Sequence, residues 1–108
     1  MSNLTTHVLD AALGRPAVGV LVRLESLDGT ELVSGRTNDD GRVPGLVAQP
    51  LEAGDYRLVF DTGGYHRATG QTGFYPEVAI TFRVTDPQQH HHVPLLLAPF
   101  AYSTYRGS

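Results

Sequence analysis

The sequence predicts an all-β protein, an antiparallel β-sandwich of about eight short strands with one short helix. Three observations support this fold. Apolar and polar residues alternate with a period of two in several separate segments. Twelve glycines and seven prolines in 108 residues favour many turns over long helices. No alternation of strand and helix, of the kind that builds a parallel sheet, is visible. We expect one domain over residues 1–108.

The first half of the chain contains three predicted strands. In the first, Leu4 to Asp10, one face carries Leu4, Thr6, Val8 and Asp10 and the other carries Thr5, His7 and Leu9. Gly14-Arg15-Pro16 then breaks this strand. A second strand starts at Val18, and one of its faces carries Val18, Val20, Val22 and Leu24. Asp28-Gly29 is a hairpin turn, and Glu31 to Thr37 is the returning strand.

The second half begins with another turn, Asn38 to Gly41. Val43 to Val47 can be at most a short edge strand, since Pro44 has no N–H for a ladder. Residues 62–76 hold the short helix, if there is one. Asp86-Pro87 is the last turn, and further strands are expected at residues 55–61, 77–84, 90–98 and 101–106.

The strand near the carboxyl terminus is apolar on both sides. Over residues 92–98 one face carries His92, Pro94, Leu96 and Ala98, and the other carries Val93, Leu95 and Leu97. A strand with one wet face would alternate with polar residues, so both faces are expected to be covered. The core supplies one cover, and a second subunit could supply the other.

Composition excludes several classes of function. The net charge of −3 and the lack of a basic cluster give no footprint for nucleic acid. All eight cationic residues are arginine, which excludes Schiff-base chemistry and a lysine phosphate-binding loop. Without cysteine there is no disulfide or thiolate nucleophile. No apolar run is long enough to span a membrane or to form a signal sequence, so a soluble, cytoplasmic protein is expected.

Three consecutive histidines, His90 to His92, form the strongest local anomaly. In a strand, His90 and His92 share one face with the spacing of a zinc site. A zinc site would need a third ligand, and the candidates are His7, His66 or a distant carboxylate. The plainer interpretation makes His90 and His91 ordinary polar residues at a strand start. We prefer it for those two residues, and we expect no metal or cofactor.

Three segments carry a family resemblance. They are Thr6-His-Val-Leu-Asp followed by Gly14-Arg-Pro-Ala, the middle segment Thr37-Asn-Asp-Asp-Gly-Arg, and the terminal His92-Val-Pro-Leu-Leu-Leu with Tyr102-Ser-Thr-Tyr-Arg-Gly-Ser. In this order they resemble the 5-hydroxyisourate hydrolases, the transthyretin-related enzymes of urate breakdown. The resemblance implies a transthyretin-like antiparallel β-sandwich of about eight strands in two sheets, with one short helix, assembled as a homotetramer (a dimer of dimers).

The resemblance also implies site residues and a reaction. The catalytic residues would be His7, Arg42, His92 and Ser108, and the substrate would contact His7, Arg42, Tyr105 and Arg106. The implied reaction is hydrolysis of 5-hydroxyisourate to 2-oxo-4-hydroxy-4-carboxy-5-ureidoimidazoline in purine degradation. Histidine suits metal-free activation of water, because its ordinary pKa is near 6.5, and activity should fall as the pH drops through about 6. Which histidine is the base stays open.

Two other functions are compatible with the same fold. A transthyretin-like carrier would bind a small ligand without chemistry, but it would need neutral apolar groups where this chain has His7, Arg42 and His92. A structural β-sandwich with a surface zinc would depend on His90 and His92 recruiting another ligand. No Gly-x-Ser-x-Gly elbow is present, so Ser108 is not assigned as a covalent nucleophile.

Overall fold

Two four-stranded sheets pack face to face in the computed structural model, which describes residues 2–108. In chain order the elements are β1 (Leu4–Asp10), β2 (Arg15–Pro16), β3 (Leu21–Ser26), β4 (Glu31–Arg36), β5 (Gly54–Phe60), α1 (Thr62–Ala68), β6 (Val78–Val84), β7 (His91–Ala98) and β8 (Ala101–Thr104). One sheet has the order β2-β1-β7-β8, and the other has the order β4-β3-β5-β6. The prediction of about eight strands in two sheets with one short helix is confirmed.

One strand pair departs from the antiparallel prediction. β1 and β7 run parallel, in a register that joins Leu4 to His91 and Asp10 to Leu97. All the other strand pairs are antiparallel. Side chains alternate between the faces in both kinds of pairing, so the sequence pattern did not distinguish them. The first sheet is therefore mixed, and the register of its parallel pair positions the candidate site.

The core lies between the inward faces of the two sheets. In β1 the burial alternates along the whole strand, as the sequence predicted. The largest side chains that are fully enclosed are contributed by both sheets: Leu4, Val8, Val22, Leu24, Leu58, Phe60, Leu95 and Leu97. Burying one side chain of this size stabilises the fold by about 1.5–3 kcal/mol. This core fixes which residues of β1 and β7 point outward.

One predicted strand begins later than expected, and the segment that could be at most a short edge strand forms none. β3 begins at Leu21, and Val18 is 48% exposed, because Gly19 has a positive φ of 80° and turns the chain between them. Residues 43–47 form no strand. Pro44 lacks the donor for a ladder, and Gly45 turns the chain with a φ of 67°, while Leu46 and Val47 still bury their side chains in the core.

Smaller differences lie at the strand ends. Arg15–Pro16, expected only as a break, pairs with the end of β1. β7 starts at His91 rather than at residue 90, and β8 ends at Thr104 rather than at residue 106. Beyond β8, Gly107 makes a separate bridge to His92. The helix α1 has seven residues, and no helix within residues 2–108 is long and apolar enough to cross a membrane.

Candidate active site

The outward side chains of β1 and β7 form one continuous face. The parallel register places Thr5 opposite His92 and His7 opposite Pro94. Thr5, His7 and His92 are half-buried, whereas their neighbours Thr6 and Val93 point into the core. The two histidines that the sequence singled out at opposite ends of the chain therefore lie on the same surface.

Arg42 reaches this surface because a tight turn holds it against β1. The side-chain oxygen of Asn38 accepts hydrogen bonds from the backbone N–H groups of Asp40 and Arg42, at 2.9 and 3.1 Å. The turn then docks on the strand, since the N–H of Val8 donates to the carbonyl of Gly41 at 2.8 Å. A side chain at Gly41 would lie 2.3 Å from the Val8 carbonyl oxygen, so the close approach requires glycine. Arg42 ends beside His7 as an isolated β-bridge.

One nitrogen of His7 is fixed by the same turn. His7 Nε2 lies 2.8 Å from the carbonyl oxygen of Asp40. A carbonyl can only accept, so Nε2 carries the proton and donates it. In the neutral ring the lone pair is then on Nδ1. This arrangement makes Nδ1 the atom of His7 that can accept a proton from another group.

His92 is held from both sides. Its Nδ1 lies 2.8 Å from the hydroxyl of Thr5, and its backbone carbonyl accepts from the N–H of Gly107 at 2.9 Å. A Cβ at Gly107 would lie 2.4 Å from Cδ2 of the His92 ring, so the carboxyl-terminal segment passes directly over the imidazole. The ring is therefore confined between β1 and the end of the chain.

The electrostatic environment keeps His92 neutral. Burial lowers its pKa below the ordinary value of 6.5, and the charge of Arg42 and the nearby rings of His7 and His90 lower it further. A hydrogen bond to the backbone of Thr5 acts in the opposite direction but is a smaller effect. Near neutral pH, His92 thus has a lone pair available for a proton. Because Arg42 and His7 both act on this pKa, the three predicted residues form one electrostatic group.

The terminal residues lie at the rim of this group. Tyr105 and Arg106 line a cavity of about 340 Å³ together with His92, at the edge between β6 and β8. The guanidinium of Arg106 lies 3.4 Å from the carbonyl of His90, and Tyr105 is 60% exposed. Ser108 is exposed beside Gly107. His7 and Arg42 do not line the cavity, so a single chain leaves the predicted residues along an open surface.

The comparisons with known proteins show the family of this chain. The model of the HIUase/Transthyretin family matches residues 4–107. The chain belongs to this family. It is 49% identical to the 5-hydroxyisourate hydrolase of Mus musculus, over 99% of this chain and 96% of the relative.

Solved structures of the family share the fold. The structure of Klebsiella pneumoniae 5-hydroxyisourate hydrolase superposes with a TM-score of 0.90 at 42% identity, covering all of this chain and 94% of the other. Sea bream transthyretin in complex with thyroxine gives a TM-score of 0.88 at 33% identity, covering 97% of this chain and 94% of the other. The fold is thus common to a hydrolase and a thyroxine-bound protein, and the side chains of the site must distinguish them.

Three residues that support the candidate site were not named among its members from the sequence. Asn38 organises the turn before Arg42, Gly107 packs on the His92 ring, and Thr5 bonds to the same ring. Asn38 and Gly107 lie inside segments that the sequence had singled out, so their position was a usable signal. Thr5 gave no such signal, because its partner depends on the register of a parallel pair.

The histidine triplet is divided between the two faces of β7. His91 is buried, and its Nδ1 lies 3.3 Å from the carbonyl of Asn3, whereas His90 is exposed. Across residues 2–108 no group of three histidine, cysteine or carboxylate side chains is placed to hold a metal ion. The zinc interpretation therefore lacks a third ligand in the described part of the chain. His66, one candidate for that ligand, is buried in α1.

Proposed function

We propose that the protein hydrolyses 5-hydroxyisourate to 2-oxo-4-hydroxy-4-carboxy-5-ureidoimidazoline in urate degradation, as a cyclic amidohydrolase. One observation carries the proposal: His7, Arg42 and His92 form one electrostatic group on the outward face of β1 and β7. In a chain 49% identical to a named hydrolase, this group supplies what ring opening by water requires. Those requirements are a base, a proton donor and a cation for the developing charge.

The reaction adds water across a cyclic amide. A base removes a proton as the water oxygen attacks the carbonyl carbon, the carbon–nitrogen bond breaks, and the leaving nitrogen takes a proton. Both His7 and His92 can take part, since each has a lone pair in its neutral form and no carboxylate within residues 2–108 lies at ion-pair distance from either. We assign the two rings to water activation and to proton return, with histidine rather than a metal as the activating group.

Arg42 has the role of holding the substrate and its charge. Its guanidinium is exposed, and no carboxylate within residues 2–108 lies at ion-pair distance from it. A planar guanidinium can donate two hydrogen bonds to a flat heterocycle rich in oxygen and nitrogen. Stabilising the oxyanion in the transition state in this way contributes about 3 kcal/mol.

The terminal residues complete the proposed site. Tyr105 and Arg106 would contact the substrate ring, and Ser108 would hold water or substrate through its hydroxyl. Phe100 is 70% exposed and Leu96 only half-buried, so the outward side of β7 and its following turn present uncovered apolar surface. We propose that this surface is covered in a homotetramer, a dimer of dimers, which would close the site that one chain leaves open.

The decisive experiment follows the disappearance of freshly generated 5-hydroxyisourate by absorbance. The wild-type protein is compared with His92→Ala, with a variant lacking residues 105–108, and with the spontaneous rate. We expect fast decay with the wild type and near-spontaneous decay with both variants. Circular dichroism and sedimentation confirm that the variants stay folded and assembled. A well-folded wild type with no acceleration would contradict the hydrolase and lead to ligand screening for a carrier.

A further inference from the structure

One hydroxyl group joins two histidine rings at the edge of the site. Thr5 Oγ1 lies 2.7 Å from Nε2 of His90 and 2.8 Å from Nδ1 of His92. Both distances are those of good hydrogen bonds. The register of β1 and β7 creates this arrangement, since Thr5 is paired with His92 and His90 lies just before β7 on the same side.

Counting protons shows that the two rings are coupled. A hydroxyl has one proton and two lone pairs, so Thr5 can donate to only one of the two rings and must accept from at least one of them. If it accepts from His92, then His92 carries its proton on Nδ1 and has its lone pair on Nε2. If it donates to His92, the neutral His92 ring has its proton on Nε2 and no lone pair outside the bond. The direction of this chain of hydrogen bonds thus determines which chemistry His92 can perform.

We propose that Thr5 and His90 are positioning residues that hold His92 as the tautomer protonated on Nδ1, with Nε2 free to accept a proton. The inference rests on the proposed function, in which His92 exchanges a proton with water or with the leaving nitrogen. In this direction His92 donates to Thr5, and Thr5 donates to Nε2 of His90. The exposed His90 ring then carries its own proton on Nδ1, where solvent can accept it.

This direction also suits the reaction physically. When Nε2 of His92 accepts a proton, the bond from Nδ1–H to Thr5 remains in place and no group has to turn. In the opposite direction, the new proton would have to go on Nδ1, where the Thr5 proton already points. A hydrogen-bond network that needs no reorganisation during the proton transfer lowers its cost. His90, which the sequence treated as an ordinary polar residue, thereby gains a role.

Nuclear magnetic resonance of the ¹⁵N-labelled full-length protein tests the proposal without reference to activity. The ¹⁵N shifts of the two ring nitrogens show which one is protonated, and we expect Nδ1 in the wild type at neutral pH. Thr5→Val removes the hydroxyl and keeps the branched shape, so His92 should move toward the Nε2-protonated tautomer. Thr5→Ser keeps the hydroxyl and should retain the wild-type pattern.

His90 is tested with a matched pair. His90→Gln places an amide oxygen where it can accept from Thr5, so the wild-type tautomer should be retained. His90→Phe removes the ring that accepts from Thr5, so Thr5 becomes able to donate to His92 and the tautomer should shift in the same direction as in Thr5→Val. Thr6→Val is the control, because Thr6 donates to the carbonyl of Val93 at 2.7 Å on the buried face of the same strand pair. It should lower thermal stability without changing the His92 shifts.

Kinetics then connect the tautomer to catalysis. For Thr5→Val and His90→Phe we expect kcat to fall roughly tenfold, the effect of one lost hydrogen bond, with KM unchanged. Thr5→Ser and His90→Gln should keep kcat within about twofold of wild type. A wild-type His92 protonated on Nε2, or a Thr5→Val protein with an unchanged tautomer, would overturn the proposal. Either result would leave the hydrolase activity itself standing, so the two failures are distinguishable.

Discussion

The charged and basic side chains on the outward faces of the two sheets have different kinds of partner. On the sheet β4-β3-β5-β6, charges meet across neighbouring strands: Arg57 lies 3.8 Å from Glu25, and Arg83 lies 2.7 Å from Asp55. On the sheet β2-β1-β7-β8, the basic groups have different partners. His7 bonds to a backbone carbonyl and His92 to a hydroxyl.

This difference distinguishes the solvated face of the sheet β4-β3-β5-β6 from the candidate active site on the sheet β2-β1-β7-β8. Ion pairs on an exposed sheet satisfy each other and contribute little to stability or binding. Two imidazoles and a guanidinium without carboxylate partners keep their lone pairs and their charge for a ligand. The same architecture thus supports an inert face and a reactive one, and the partners of each side chain decide which is which.

Replacing one arginine on each face tests the comparison most directly. Arg42→Ala should lower kcat/KM for 5-hydroxyisourate about 100-fold, because it removes the proposed donor to the oxyanion. Arg57→Ala on the other sheet is the matched control and should change kcat/KM very little. Steady-state kinetics of both variants decide the matter. Equal losses in the two would show that the faces do not differ in function.

The next test concerns the space above His92. Gly107 has no positive φ, so Gly107→Ala strains no backbone, but the new methyl group would lie 2.4 Å from the His92 ring. The ring or the terminal segment must move, and we expect kcat to fall about tenfold while the unfolding temperature stays unchanged. Ser103→Ala, in the neighbouring exposed strand β8, is the control. Full activity of Gly107→Ala would show that the terminal segment is not part of the active site.

A third test contrasts a buried polar group with the reactive face. Burial raises the pKa of Asp10, but hydrogen bonds from Tyr65, Leu13 and Gln71 outweigh it and hold the value below 3.8. Tyr65→Phe removes the hydroxyl that donates to Asp10 at 2.5 Å. We expect the free energy of unfolding in urea at pH 7 to fall by about 1–2 kcal/mol, with activity retained.

The pH dependence of this buried group gives its own check. A lowered carboxyl pKa stabilises the fold at neutral pH, and that stabilisation is lost as the pH falls below 3.8 through the folded-state pKa. The control for Tyr65→Phe is Tyr75→Phe, since the Tyr75 hydroxyl has no hydrogen-bond partner among the described residues. An equal loss of stability in both variants would argue against a specific role for the Tyr65 bond.

The smallest expected effect is a shift of the pH profile. Because the pKa of His92 is lowered, the ring becomes protonated only at a pH below 6.5. The acid limb of kcat/KM should therefore have its midpoint below that value. In Arg42→Ala the residual activity should show a midpoint moved upward, since one of the charges that lowers the pKa is gone. A flat profile down to pH 5 would argue against histidine as the base.

Much of this fold could be predicted because most of its strands show a local alternation of apolar and polar residues. β1 has the predicted bounds, β6 begins one residue later than predicted, and the faces of β7 are as expected from alternation alone. The errors arose where the backbone overrides the pattern. Gly19 turns the chain between Val18 and Leu21 although the apolar alternation continues, so Val18 looked like a strand residue. Positive φ at a glycine is not visible in hydrophobic periodicity.

The sequence supplied candidate members of the site, but not the contacts that hold them in place. Histidine and arginine reveal themselves by residue type and by family resemblance, which is why His7, Arg42 and His92 could be named from the sequence. The supporting contacts of Asn38, Thr5 and Gly107 depend on which strand lies beside which, and in what direction. No local pattern contains that information.

The sequence by itself determined the alternation that makes two sheets, the apolar strand near its end, and the residues with proton chemistry. Tertiary structure decided that β1 and β7 are parallel neighbours, and thus that Thr5 lies between His90 and His92. The physical reason is one of range. Periodicity and turn chemistry act between residues a few positions apart, whereas the pairing of β1 with β7 depends on closing a core across nearly the whole chain.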